Sequence, residues 1–225
     1  MLKEEERGTC KEKFQQTQDM SQESKNNERF KSVSDLGAEL FQVSLEKFND
    51  WRWQLKNQVR TKAEAIKILR LTKDEQEAFA EVDKVFNIGI SPYSMSLMAY
   101  RQRQGKDIEP LKRQLIPQLA ELTDFRGQKD PLEEMNHSAV KEVIHAYPDR
   151  VAFCVAQLCP VYCRYCFRKR RDDEVGLHYN RKIVEDGVNY IRSHKSIKDV
   201  LITGGDPFIA SDATIENLLQ KLREI

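Results

Sequence analysis

The sequence predicts an α/β protein in which a helical N-terminal region precedes two βα units of a parallel sheet. Three observations carry this. Between Leu40 and Arg126 apolar residues recur at three- and four-residue steps, the helical period. After Val143 two short, nearly continuous apolar runs read as buried strands. An amphipathic helical segment follows each run, and the order strand, helix, strand, helix indicates a parallel sheet.

Residues 1–40 are rich in Lys, Glu and Gln and poor in large apolar side chains, so a mobile polar tail is expected. Cys10 within it reads as an exposed, inert thiol. Residues 41–143 make up the helical region. In "LEKFNDWRWQLKNQV" one helical face collects Phe48, Trp51, Leu55 and Val59, and Trp53 falls off that stripe. "TKAEAIKILRL" opens on Thr61 with Glu64 three residues later, and "TKDEQEAFAEV" repeats the capping-box spacing with Thr72 and Glu75. Ser91 followed by Pro92 fits a helix start with proline at its first position. "PLKRQLIPQLAEL" is a further short helix interrupted at Pro117. The aromatic residues, Met95 and Met98 read as core. Gly127 to Val143 reads as a polar connection.

Residues 144–225 begin the sheet. "DRVAFCVAQLC" is the first strand. "NRKIVEDGVNYIRSH" is a helix that buries Ile183, Val184, Val188 and Ile191. "KDVLITGGDP" is the second strand, ending in glycines. "SDATIENLLQKLREI" is a helix opened by Ser211, with Ile215, Leu218, Leu219 and Leu222 apolar. Two βα units neither close a barrel nor cover both faces of a parallel sheet, so either a piece of a longer chain or a partner that completes the sheet is expected, and the former is favoured.

Composition excludes several functions. With 37 basic and 36 acidic side chains the formal net charge is +1, which gives no footprint for nucleic acid or an anionic membrane surface. No apolar run approaches the roughly 20 residues that span a bilayer. "MLKEEERGTCKEKFQQ" has no apolar signal core, so the reducing cytoplasm is the expected compartment. Four of the five cysteines crowd into the stretch from Cys154 to Cys166, which reads as metal binding or catalysis and not as a disulfide framework.

The chemistry concentrates in "CPVYCRYCFRKR". Cys159, Cys163 and Cys166 lie just past the first strand, and Gly204, Gly205, Asp206 and Pro207 just past the second, where α/β folds place their sites. Three thiolates converge readily from so short a loop, and soft sulfur suits zinc or an iron–sulfur cluster. Structural zinc wants a fourth protein ligand, for which Cys154, His178 or a distant residue is available. A cubane cluster with three irons held by cysteine leaves its fourth iron open to a small molecule. For Arg168, Lys169, Arg170 and Arg171 the alternative is a solvated basic patch.

Cys-x3-Cys-x2-Cys with an aromatic residue, Tyr165, before the last cysteine resembles the signature of radical S-adenosylmethionine enzymes, and "GGDP" resembles their glycine-rich strand end. The stretches "NDWRWQLKNQV", "ISPYSMSLM", "YPDRV", "CPVYCRYCFRKR", "DVLITGGDP" and "SDATIENLLQKLREI" are similar to the lysine 2,3-aminomutase family in particular. That resemblance implies that the two βα units begin a partial (β/α)6 barrel. It implies a [4Fe-4S] cluster on Cys159, Cys163 and Cys166, with S-adenosylmethionine chelating the open iron and yielding a 5'-deoxyadenosyl radical. Tyr165 then lies beside the cluster and adenine, and Gly204, Gly205, Asp206 and Pro207 line the S-adenosylmethionine. Arg168 matches an arginine that pairs with the substrate carboxylate, for which its planar fork is suited.

The resemblance also implies pyridoxal 5'-phosphate carrying an amino acid substrate, migration of nitrogen from the α to the β carbon, and an electron donor such as flavodoxin or ferredoxin. It leaves a homo-oligomer open. The sequence departs from the family pattern in three places. Ala146 stands where an arginine helps to hold the pyridoxal phosphate, "CFRKR" where "CTRRR" is usual, and Tyr165 where histidine is common. Ala146 keeps open a relative that works without pyridoxal phosphate. A zinc-binding module is the alternative of a different class.

Overall fold

The computed structural model describes residues 32–124, 126–128, 130–156, 158–169 and 181–225. Cys10, Gln157, Arg170, Arg171 and His178 lie outside them, as does most of the expected tail. The last residues of that tail are not tail-like. They form helix α1 (Val33–Leu40), capped by the Ser32 side chain accepting from the Asp35 N–H, with Leu36 fully buried against the helical core.

Helices α2 (Leu45–Asn49), α3 (Trp51–Lys56), α4 (Lys62–Ala65), α5 (Lys73–Val82), α6 (Pro92–Arg103), α7 (Glu109–Leu115) and α8 (Ala120–Thr123) complete the N-terminal part. Both expected capping boxes form, Thr61 with Glu64 and Thr72 with Glu75, and Ser91 caps α6 ahead of Pro92. Met95 and Met98 are fully buried. The chain is non-helical from Ile116 to Leu119, around Pro117, which lacks the N–H that a continuous helix requires.

The stripe of Phe48, Trp51, Leu55 and Val59 is corrected. Asp50 has extended backbone angles, ends α2 and caps α3 by accepting from the Arg52 N–H at 2.9 Å. The break rotates the register. Trp53 therefore packs on Phe41 and Phe48, at 5.8 and 5.9 Å between ring centroids, and Trp51 is 46% exposed.

The stretch expected as a polar connection and its continuation fold into a hairpin. Strand β1 (Ser138–Val140) runs antiparallel to β2 (Val143–Tyr147), with Glu142 in the left-handed region at the turn. Strand β2 pairs antiparallel with β3 (Arg150–Ala156), and β3 pairs parallel with β4 (Asp199–Gly204). The sheet is thus mixed, in the order β1-β2-β3-β4, and its parallel part is the pair foreseen.

Helix α9 (Arg181–Ser193) is the crossover between β3 and β4, and α10 (Asp212–Arg223) follows a single 3-10 turn (Pro207–Ile209). Val151, Phe153 and Val155 of β3 bury against Val184, Val188 and Ile191 of α9 and Leu218 of α10, with Val200 and Ile202 at the margin. Leu219, expected among the apolar positions of the last helix, is 42% exposed. In-register neighbours of a parallel pair share a face. Ala152 and Leu201, and Cys154 and Thr203, therefore lie on the other face, where Leu201 is 67% exposed. Strand β4 is half-covered and not the doubly buried strand expected.

Candidate functional site

The loop after β3 carries the three cysteines, and the helical part of the molecule forms its socket. The Gln58 side-chain amide donates to the Cys159 carbonyl at 2.9 Å, the Tyr162 N–H to the Gly89 carbonyl at 2.8 Å, and the Arg164 N–H to the Gln114 carbonyl at 2.9 Å. A Cβ at Gly89 would stand 2.6 Å from the Tyr162 ring, so only glycine admits the loop this closely. Val161 packs on the helical core.

Charges fix the same loop from below. Arg164, 5% exposed, grips Glu121 of α8 through Nε at 3.0 Å and Nη2 at 2.7 Å, and donates from Nη1 to the Asn87 carbonyl at 2.9 Å. Lys169 donates to the same Glu121 at 2.9 Å and to the Arg164 carbonyl at 3.0 Å, and its ammonium lies 4.3 Å from the Phe86 ring centroid. Burial alone pushes the Glu121 carboxyl up, but the hydrogen bonds from Arg164 and Lys169 outweigh it and hold the group below its ordinary value.

Arg168 faces the other way, to the strand ends. Its Nε and Nη2 engage Glu134, the shortest contact being 2.7 Å, and Nη1 donates to Thr203 Oγ1 at 3.1 Å and to the Gly204 carbonyl at 3.3 Å. Burial disfavours the Arg168 charge, and the Glu134 carboxylate more than restores it. The fork assigned from the sequence to a substrate carboxylate is thus engaged by an internal one, itself only 5% exposed. A solvated patch is excluded for Arg168 and Lys169, both of which are partnered.

The glycine turn abuts the cysteine loop across the parallel pair. The Gly205 N–H donates to the Ala156 carbonyl at 2.6 Å and the Asp206 N–H to the Leu158 carbonyl at 2.8 Å. Gly204 has φ +131°, and a Cβ there would fall 2.0 Å from the Ala156 oxygen, so the backbone itself demands glycine. Asp206 caps the 3-10 turn opened by Pro207, accepting from the Phe208 N–H at 3.0 Å. Tyr165 is 71% exposed. Beside Pro160 and Asp206 runs a groove of about 500 Å³ walled by Phe48, Trp51, Leu55, Tyr93 and Phe208.

Cys159, Cys163 and Cys166 are partly exposed and in no disulfide, and Cys154 is buried in β3. Burial, then the neighbouring Cys166 sulfur, push the Cys163 thiol up, so its thiolate is disfavoured in the metal-free loop and a bound cation would favour it. Among the described residues no three His, Cys, Asp or Glu side chains gather around one point to hold a single ion. A cubane instead takes one thiolate at each of several irons, a demand that three soft donors spread along a loop meet. The sequence reading missed Gln58, Gly89, Glu121, Glu134 and Thr203. Each looks like an ordinary surface or turn residue until the fold brings its partner to it.

Comparisons with known proteins concern the chain as a whole. Residues 149–225 match a family model described as a 4Fe-4S single cluster domain, which disfavours the zinc module. An L-lysine 2,3-aminomutase of Clostridium subterminale is 36% identical over 199 residues, 88% of this chain and 44% of that protein. One of Bacillus subtilis is 38% identical over 184 residues, 81% of this chain and 38% of that protein. A glutamate 2,3-aminomutase of Clostridioides difficile is 36% identical over 181 residues, 80% of this chain and 42% of that protein. The chain spans less than half the length of these curated relatives. The similarity runs through both the helical region and the cysteine loop, and by it the chain belongs to the lysine 2,3-aminomutase family.

Proposed function

We propose that Cys159, Cys163 and Cys166 hold a [4Fe-4S] cluster whose open iron takes S-adenosylmethionine, and that the chain forms this centre of a radical amino acid 2,3-aminomutase. The observation that carries the reading is the cysteine loop hydrogen-bonded to the Gly204–Asp206 turn at the ends of two adjacent parallel strands. When bound, the cluster and S-adenosylmethionine supply one-electron radical chemistry. The chain's residues position them. Gln58, Gly89 and Gln114 fix the loop backbone, Gly204, Gly205, Asp206 and Pro207 shape the wall opposite, and exposed Tyr165 offers a ring face to an adenine. Arg168 lies at the strand ends, and its use on a substrate carboxylate requires exchange with Glu134.

The two βα units then begin a partial (β/α)6 barrel. The amino acid substrate and the electron donor follow from the relatives' names and from the need to reduce the cluster. Pyridoxal phosphate would carry the amino acid; Ala146 offers no side-chain donor to its phosphate, so the group would rest on other residues. No helix among the described residues is long and apolar enough to cross a membrane, and three partly exposed cysteines in no disulfide suit a reducing compartment such as the cytoplasm. Anaerobic reconstitution of the chain is expected to give about four irons and four sulfides per chain, with an EPR signal of the reduced cluster that changes on adding S-adenosylmethionine. Cys163→Ala is expected to lose that change. Its persistence, or a colourless chain holding one zinc, overturns the reading.

A further inference from the structure

We propose that Glu121 is the positioning residue of the cysteine loop: its single carboxylate holds the loop on both sides of Cys166 and so sets how Cys163 and Cys166 are presented to the cluster. This rests on the cluster reading above. Arg164 lies between the last two cysteines and Lys169 three residues after Cys166. Both reach Glu121 Oε2, at 2.7 and 2.9 Å, and Arg164 also takes Oε1 at 3.0 Å. The Lys169 ammonium returns to the Arg164 carbonyl, which closes a ring of contacts around Cys166.

The ring is dry, with the side chains of Arg164, Glu121 and Lys169 only 4, 11 and 23% exposed. In such surroundings a charge-assisted bidentate pair fixes direction as well as distance. Helix α8, one turn long, packs Leu122 on the helical core, and Glu121 Oε1 also accepts from the Gln118 N–H at 3.0 Å, but neither contact needs the Oε2 that Arg164 and Lys169 share. Removing it leaves two cations packed beneath the loop with no counter-charge, and they are expected to turn towards the anionic cluster and drag the loop with them.

The test uses the reconstituted full chain. Glu121→Gln keeps the shape and removes the charge. It is expected to release iron to a chelator about tenfold faster than the unsubstituted chain, in line with other changes to groups that orient metal ligands. The g-anisotropy of the reduced cluster is expected to change at the same time, which a merely structural role would not produce. Glu109→Gln, which removes an equal charge from an exposed pair with Arg113, is expected to do neither.

If both substitutions act alike, or Glu121→Gln leaves release and spectrum unchanged, the inference fails. Should Glu121→Gln lose its helical circular dichroism, Lys169→Gln decides, because it breaks one arm only. Faster release with an intact fold supports the ring, and unchanged release overturns it. An unsubstituted chain that takes up no iron refutes the cluster reading itself, a result distinct from either of these.

Discussion

Gly204 shows how one residue can be required twice over. The family resemblance assigns it to close contact with S-adenosylmethionine, yet its φ of +131° and the Ala156 oxygen 2.0 Å from a would-be Cβ exclude any side chain already in the polypeptide alone. Gly204→Ala is therefore expected to destabilise the metal-free chain by about 2 kcal/mol or more. A urea titration checks this, with a lower midpoint at unchanged slope. Arg168 teaches the reverse. Its position after the last cysteine was legible in the sequence, but its partner was not, because Glu134 lies 34 residues earlier in a stretch without periodicity.

Helices of the N-terminal part were legible because their signals are local. Thr61, Thr72 and Ser91 announce starts that depend only on the next three residues. The α2–α3 stripe failed because Asp50 can satisfy N–H groups of its own, and a cap inside an apolar period resets the period. Glu75 joins the two levels. It closes the Thr72 box and also bonds Lys112 of α7 at 2.8 Å, with side chains 18 and 11% exposed. Thr72→Ala is expected to cost about 1 kcal/mol, the usual loss of a cap. Glu75→Ala is expected to cost about 2–3 kcal/mol, since it also strands the Lys112 ammonium. Thermal melts of both substitutions check the order, and equal losses would show that the Lys112 contact contributes nothing.

Across the whole molecule there are two hydrophobic cores, one among helices and one between the sheet and α9 and α10, and the cysteine loop leads from β3 of the second to Val161 on the first. Much of the junction is electrostatic, and this gives it a pH dependence. The folded Glu121 carboxyl titrates below its unfolded value, so its contribution is fully present above about pH 4.5 and is lost as pH falls through the folded value. Hydrogen exchange over residues 158–169 of the metal-free chain, corrected for intrinsic rates, is expected to quicken on that descent. In Glu121→Gln it is expected to be fast at both ends of the range. A wild-type loop whose protection does not change with pH contradicts this account.

The sequence by itself determined the helices opened at Thr61, Thr72 and Ser91, the parallel pair β3–β4, and the meeting of the cysteine loop with the glycine turn. All of these follow from period, spacing and the rule that sites gather at strand ends. Only the tertiary structure decided what holds the loop. Gln58 reaches Cys159 across 101 residues and Glu121 reaches Arg164 across 43. It also decided the β1–β2 hairpin and the exposure of Leu201. The physical reason is common to these cases. A cap or an alternating strand is selected by neighbours within a turn, whereas a buried ion pair is selected only by the surfaces that folding brings together, and nothing in either residue alone names its partner.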